Sequence, residues 1–357
     1  MSIRTGIDPK ACCNPQHAFF IGTQPAERST QMTTKERVLE QLEQQRGKSI
    51  SGAKLAEQLS LSRNAVWKAI TALRTEGYQI QAVTNKGYCL APENDILSVQ
   101  GILPFLSPDA AKYANQISVF DSLPSTNQKA KEYAVSGAAH GTVVIAETQT
   151  AGRGRYDRSF FSPNGGLYLS IVLHPAHLPF THITAVTAFA ANAVCETIEA
   201  LSDRKPAVKW VNDVLIGGKK VCGILTEAVT DFESGGLSWI VLGIGINLTA
   251  QFPPELQKIA GAVFPDGAPA GCRNQFAASL INKLLTDSAI PDEPAIFAAY
   301  RARLLLPEAE ITVQQGDVAY PASAVGINDC GHLIVRLRDG SQRILTSGEI
   351  RLPYPSA

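Results

Sequence analysis

Several common signatures are missing from this chain of 357 residues. It has neither the G-x-G-x-x-G turn that cradles a dinucleotide nor the glycine-rich G-x-x-x-x-G-K-[ST] loop of nucleoside triphosphatases, so neither of those nucleotide folds is expected. It has no C-x-x-C and no H-E-x-x-H. The seven cysteines, an odd number, suggest neither a disulfide framework nor a zinc knuckle, which favours a reducing compartment. No apolar run reaches the ~18 residues of a membrane span. Net charge is also missing. Lys+Arg and Asp+Glu are equal at 32 each, so any surface for nucleic acid must be local. With 45% hydrophobic and 18% charged residues, what remains is ordinary globular material, long enough for two or three domains. A cytoplasmic protein without membrane partners is expected.

Methionine is scarce, at positions 1 and 32 alone. Residues 1–32 lack periodicity, and Ala18-Phe19-Phe20-Ile21 is too short for a signal-peptide core of about 7–15 apolar residues. Met32 directly precedes the first helical pattern. The expectation is that translation begins there and that the preceding residues are a disordered or spurious extension, a genuine tail being the alternative.

Residues 33–91 read as a winged helix-turn-helix. Val38, Leu39 and Leu42 share one helical face, and Ser51 caps a second short helix. Ser62 caps a third, whose apolar face carries Ala65, Val66, Ala69, Ile70 and Leu73 and whose outer face carries Arg63, Asn64, Trp67 and Lys68. The runs 78–83 and 87–90 make a hairpin, the wing, with Lys86 at its tip. Ser62, Arg63, Asn64, Trp67, Lys68 and Lys86 are the expected DNA-facing set. A helical protein-interaction module shares this periodicity and is the competing reading. One recognition helix offers few base contacts, so specific binding calls for a dimer on a two-part operator.

Residues 92–305 alternate strands and helices in the manner of an α/β sandwich with a mixed sheet. The run Gly152-Arg153-Gly154-Arg155, followed by Arg158, sets glycines that admit close backbone approach beside guanidinium forks suited to phosphate. It predicts a flexible loop feeding the strand 167–173. A clamp for a phosphate-bearing small molecule and a solvated loop touching RNA are equally open on these residues alone. Ser125-Thr126-Asn127 stands at a strand-to-helix junction, as a cap or as donors to a polar head group. A strand is expected over 208–216. Within it Asn212 and Asp213 are costly unless satisfied; they hold a turn or position waters and a cation. Lys220 follows a tight turn, solvated or reaching into a pocket. Gly243 and Gly245 in an apolar strand mark close approach of a ligand or a neighbouring backbone. From 306 to 357, short alternating strands separated by Gly and Asn-Asp turns predict a small β-barrel.

Five runs occur in one order: Ser125-Thr126-Asn127; Gln149-Thr150-Ala151-Gly152-Arg153-Gly154-Arg155; Lys209-Trp210-Val211-Asn212-Asp213; Lys220-Val221-Cys222-Gly223-Ile224-Leu225; and Gly243-Ile244-Gly245-Ile246-Asn247. That series resembles the biotin–protein ligases. With the winged helix in front, the chain is similar to their bifunctional type, the biotin operon repressors. Val211 departs from the proline usual there, and Tyr156-Asp157 from small or basic residues. The resemblance implies two steps: the biotin carboxylate attacks the α-phosphate of ATP, and a lysine of a biotin carboxyl-carrier protein then takes the biotinoyl group from the adenylate. It implies that Ser125, Thr126, Asn127 and Gln149 hold the biotin head group. Arg153, Gly154 and Arg155 fold over the adenylate, and Lys220, with Arg153, serves the reacting groups. Asn212 and Asp213 order the phosphate or Mg2+ region, and Gly243, Gly245 and Asn247 line the nucleotide pocket. It also implies operator DNA as a partner and a homodimer when adenylate is bound. Two other readings share parts of this pattern. A non-catalytic biotin-sensing regulator lacks a use for Lys220 and the arginine run, and a lipoate or octanoyl transferase lacks the Lys-Trp-x-Asn-Asp run.

Overall fold

A computed structural model describes residues 32–84, 86–230, 237–286 and 290–352; the extension expected over 1–31 lies outside the described residues. The first element, α1 (Thr34–Gln44), is set by a reciprocal cap: Thr33 accepts from the Glu36 amide while the Glu36 carboxylate accepts from the Thr33 amide. Ser51 and Ser62 cap α2 (Gly52–Gln58) and α3 (Arg63–Thr75) in the same spirit, each accepting an amide three residues on. The wing is the antiparallel pair β1 (Ile80–Val83) and β2 (Gly87–Leu90). Gly87 has φ +100, and a Cβ there would stand 2.1 Å from the Ile50 carbonyl oxygen, so the wing turns where only glycine fits. Val38, Leu42, Leu55, Val66, Ile70, Leu73 and Leu90 close a small core of their own.

Beyond the short helix α4 (Val99–Ile102) the chain enters a seven-stranded sheet. Its strands are β3 (Ile117–Leu123), β4 (Thr142–Gln149), β5 (Gly166–Leu173), β6 (Ala207–Lys209), β7 (Asp213–Ile216), β8 (Lys219–Thr230) and β9 (Leu237–Asn247), in the order β3-β4-β5-β9-β8-β7-β6. The β3–β4 pair is parallel and the rest are antiparallel, the mixed sheet expected from the sequence. Helix α5 (Thr126–Val135) crosses between the parallel strands. The apolar helix α6 (Ile183–Leu201), with α7 (Cys272–Leu285) and α8 (Glu293–Arg303), covers the sheet's other face. β5 is buried at all eight positions, as its apolar run, broken by Ser170 alone, requires.

The strand expected over 208–216 is instead two strands, β6 and β7, folded back on each other with Val208 opposite Val214. The turn between them holds Trp210, Val211 and Asn212, and the Trp210–Val211 peptide is cis. Six apolar residues give the stretch the look of one strand, and periodicity alone does not reveal a fold-back beside the polar pair Asn212-Asp213.

The C-terminal strands β10 (Ile311–Gln315), β11 (Val318–Ile327), β12 (Leu333–Arg336), β13 (Gln342–Leu345) and β14 (Glu349–Arg351) form an antiparallel sheet in the order β13-β12-β11-β10-β14. A register irregularity at Ala324/Gly326 lets β11 serve two neighbours. Ile311, Val313, Leu333, Val335 and Ile350 join the same apolar core as α6–α8. The sheet is therefore docked by burial, with the Trp210 indole donating to the Gly331 carbonyl at 3.0 Å.

Candidate active site

Twelve of the thirteen residues singled out for the ligase chemistry line one cleft of about 890 Å3. It opens where the α5 N-terminus, the ends of β4, β5 and β9, the start of β8 and the 150–162 loop converge.

At one end lies a polar corner. Ser125 caps α5, so the helix begins at Thr126 and two of the three small polar residues belong to its first turn. Thr126 donates its backbone amide to Gln149 Oε1 at 2.8 Å, and Gln149 Nε2 donates to Ser162 Oγ at 2.9 Å. The Gln149 amide is thus fixed in orientation by backbone and loop together. Thr126, Asn127 and Ser170 are buried, and Ser170 Oγ lies 2.8 Å from Thr126 Oγ1. Ser170, unmarked in the sequence, sits in an all-apolar strand; a lone serine there was its signal.

The other end is cationic. Lys220 Nζ is 2.6 Å from Asp213 Oδ1, and Lys209 Nζ is 3.9 Å from Asp213 Oδ2. The backbone of Lys220 is held on both sides, its amide donating to Ile259 and its carbonyl accepting from Gly261 and Asn247. Asn212 is satisfied too: its side chain donates to the Ile224 carbonyl at 2.8 Å and its carbonyl accepts the Ile224 amide at 2.9 Å. Asn247 is the residue that the cleft leaves out. It is buried on β9 and reaches the Lys220 carbonyl at 3.4 Å rather than lining the cavity.

The loop expected to be flexible is a hydrogen-bonded hairpin. Bridges join Gln149 to Ser162 and Arg153 to Ser159, and the Gly154 amide donates to Arg158 at 2.7 Å. Tyr156 and Asp157 turn its tip in the left-handed region, at φ 56 and 55. A Cβ on Gly152 would stand 2.4 Å from the Phe160 carbonyl oxygen, which explains that glycine by close approach. The Arg155 guanidinium donates to the Gly348 carbonyl at 3.2 Å, and Arg158 pairs with Glu349 at 2.5 Å. Burial pushes the Glu349 carboxyl up, but the Arg158 hydrogen bond and charge outweigh it and hold it below the usual range. Arg153 makes no hydrogen bond or ion pair among the described residues, which leaves its fork open to the cleft.

Besides Ser170, two contributions escaped the sequence reading. Gly348 and Glu349, from the C-terminal sheet, line the cleft. The Phe160 ring lies over β8 and β9, where a Cβ on Gly245 would meet it at 2.6 Å and one on Gly223 at 3.0 Å. Gly243 makes room differently, since a Cβ there would stand 1.9 Å from Asn127 Oδ1. The paired glycines of β9 therefore serve a neighbouring side chain and an aromatic lid. Lys220 Nζ stands 5.5 Å from the centre of the Phe160 ring, within cation–π range.

The second expected surface is on α3. Ser62, Arg63, Asn64, Trp67 and Lys68 are all exposed, as is Lys86 at the wing, and the Trp67 indole is 55% accessible.

Three family models match the chain. Residues 119–247 fit the biotin/lipoate A/B protein ligase family, 34–89 an HTH domain and 309–352 the biotin protein ligase C terminal domain. The bifunctional ligase/repressor BirA of Bacillus subtilis is 39% identical over 232 residues, 64% of this chain and 70% of that protein. The Escherichia coli protein of the same name is 33% identical over 240 residues, 67% of this chain and 72% of that one. The fold is that of the biotin protein ligase of Aquifex aeolicus solved in complex with biotin and ATP, with a TM-score of 0.57 at 24% identity, covering 67% of this chain and 98% of that one. With site geometry, fold and sequence likeness in agreement, the chain belongs to the biotin/lipoate A/B protein ligase family.

Proposed function

We propose that the protein is an ATP-dependent biotin–protein ligase and a biotin-responsive repressor. The observation that carries the ligase reading is a single cleft with a hydrogen-bonding corner at Thr126 and Gln149 and a cationic end at Lys220, Arg153 and Arg155. A carboxylic acid with a polar ring head fits that polarity. Its head group seats at Ser125, Thr126, Asn127 and Gln149, and its carboxylate reaches Lys220. The carboxylate oxygen attacks the α-phosphorus of ATP and pyrophosphate leaves. The biotinoyl carbon of the adenylate then takes a lysine amine of a carboxyl-carrier protein, AMP departs and the amine loses a proton. The acid brings its own nucleophile, so the protein's share is positioning and charge compensation. Asp213 holds Lys220 for that role, Arg153 and Arg155 close on the phosphate, and Gly243 and Gly245 serve the nucleotide pocket indirectly, by making room for Asn127 and for the Phe160 ring. Asn247 acts from behind the wall by fixing the Lys220 backbone.

The two carboxylates of the cleft, Asp213 and Glu349, are each held by a cation, and no cluster of three metal-binding side chains occurs among the described residues. They do not fit a resident metal site, and Mg2+ is assigned to the ATP it accompanies.

The division of labour is winged helix at 33–91, ligase at 92–305 and C-terminal sheet at 306–357, with the last supplying Gly348 and Glu349 to the closed loop. The exposed face of α3 and the wing are assigned to operator DNA. A homodimer of the adenylate-bound form is supported by β8, whose outer edge from Thr226 onward pairs with no strand among the described residues. No helix among them is long and apolar enough to cross a membrane, in keeping with a cytoplasmic ligase.

The test is pyrophosphate exchange into ATP with biotin, lipoate or octanoate offered in turn. Exchange with biotin is expected. Exchange with lipoate instead reassigns the acid, and no exchange with any acid reduces the protein to a sensor.

A further inference from the structure

Behind the polar corner, a line of side chains runs from the sheet surface to the cleft. We propose that Glu227, acting through Asn127 and Ser170, keeps the Thr126 hydroxyl open as a hydrogen-bond acceptor for a ligand N–H; this rests on the ligase reading above. Glu227 touches neither cleft nor ligand, so it is a positioning residue.

The Glu227 carboxylate accepts on both oxygens, from Lys131 Nζ at 2.6 Å and from Asn127 Nδ2 at 2.8 Å. A carboxylate has no proton to give, so Asn127 must turn its NH2 group toward it. The second N–H of that group goes to the Leu225 carbonyl at 3.3 Å. Asn127 Oδ1 is left facing Ser170 Oγ at 2.7 Å. Ser170 has one hydroxyl proton and two oxygens within reach, Asn127 Oδ1 and Thr126 Oγ1 at 2.8 Å. The Asn127 oxygen offers no proton of its own, so the Ser170 proton must go to it. Thr126 Oγ1 therefore receives no donor from the protein. Its own proton stays inside the wall, donated to Ser170 Oγ across their 2.8 Å contact. Ser170 is fully buried and Asn127 is 5% exposed, so water cannot stand in at either. The free lone pair of Thr126 faces the cleft, where a ring N–H such as that of a cyclic urea is the matching group.

The order reverses if position 227 carries an amide. Lys131 takes the amide oxygen of Glu227→Gln, and its NH2 group then faces Asn127. The Asn127 amide turns over, its NH2 donates to Ser170, and the Ser170 proton passes to Thr126 and fills its acceptor. Biotin affinity of the full-length chain, measured by calorimetry, is expected to fall about tenfold in Glu227→Gln, the scale of one ligand hydrogen bond. ATP affinity should not move. Adding Ser170→Ala removes the proton that blocks Thr126, so the double variant should regain binding to within about threefold of the parent, an interaction that a double-mutant cycle isolates. Unchanged biotin affinity in Glu227→Gln overturns the inference, as does a double variant that binds no better than Glu227→Gln, because a merely structural carboxylate cannot be rescued by a second deletion. If the parent chain itself binds no biotin, the ligase reading falls and the inference with it; if the parent binds and the variants follow it, the inference alone falls.

Discussion

At the scale of single residues, the site is built by satisfying polar groups in pairs. Lys220 is held twice: Asp213 fixes its ammonium at 2.6 Å, and Ile259 and Gly261 fix its backbone. A preorganised cation costs no reorganisation when charge develops on the α-phosphate. Lys220→Ala should slow biotin-dependent pyrophosphate exchange by roughly 10²–10³, the range for one preorganised donor, while leaving the fold intact. Exchange at the parent rate would take Lys220 out of the chemistry. The residue types were legible in the sequence because their chemistry is local to them. Their states were not. Asn127 is a saturated element of the wall as much as a cleft residue, and Asn247 supports Lys220 from outside the lining.

At the scale of elements, helix starts were the most readable feature. Ser51 and Ser62 accept an amide from the first helical turn as the sequence pattern announces; Ser125, open there between cap and ligand donor, and Thr33, unmarked there, do the same. The start of α8 adds a contact that the pattern does not announce. Its Glu293 accepts from the Thr181 amide at 2.5 Å and the His182 amide at 2.8 Å, over a hundred residues away. Burial pushes the Glu293 carboxyl up, but the hydrogen bonds from His182 and Thr181 outweigh it and bring it from 4.5 down to about 2. A carboxyl depressed in the folded state stabilises above its unfolded value and loses that share as pH falls toward the folded one. Glu293→Gln should therefore lower the thermal midpoint at pH 6, with the difference from the parent closing between about pH 4.5 and about 2. A difference that stays constant over that window would show that the contact works by shape, not charge. The 208–216 run marks the opposite limit, where apolar residues on both sides conceal the turn that places Asn212 and Asp213.

At the scale of the whole molecule, two separate cores are tied by polar contacts. The winged helix has its own apolar centre, while one continuous core runs from the ligase sheet into the C-terminal sheet. Between winged helix and ligase, Arg46 pairs with the buried Glu43 and donates to the Asn94 carbonyl, and Arg273 pairs with Asp95 at 3.1 Å and Glu147 at 3.5 Å. Glu147 lies on β4, two residues before Gln149, so the strand that carries the ligand corner also meets the linker. If occupancy of the cleft favours the dimer, linkage requires that it also favour operator binding. Footprinting on an operator selected from random duplexes should show protection that strengthens when biotin and ATP are both present. Protection indifferent to them would separate the two activities.

By itself the sequence marked most of the groups that meet in the cleft and most stretches of helix, strand or turn, because caps, glycine turns and apolar periodicity act over a few residues. Tertiary structure alone decided how those groups meet. Arg158 finds Glu349 and Arg155 finds Gly348 across 191 and 193 positions of chain. Such contacts depend on how the C-terminal sheet docks on α6–α8. That docking is set by burial of shared apolar surface, a non-directional force that leaves no local mark on the residues it brings together.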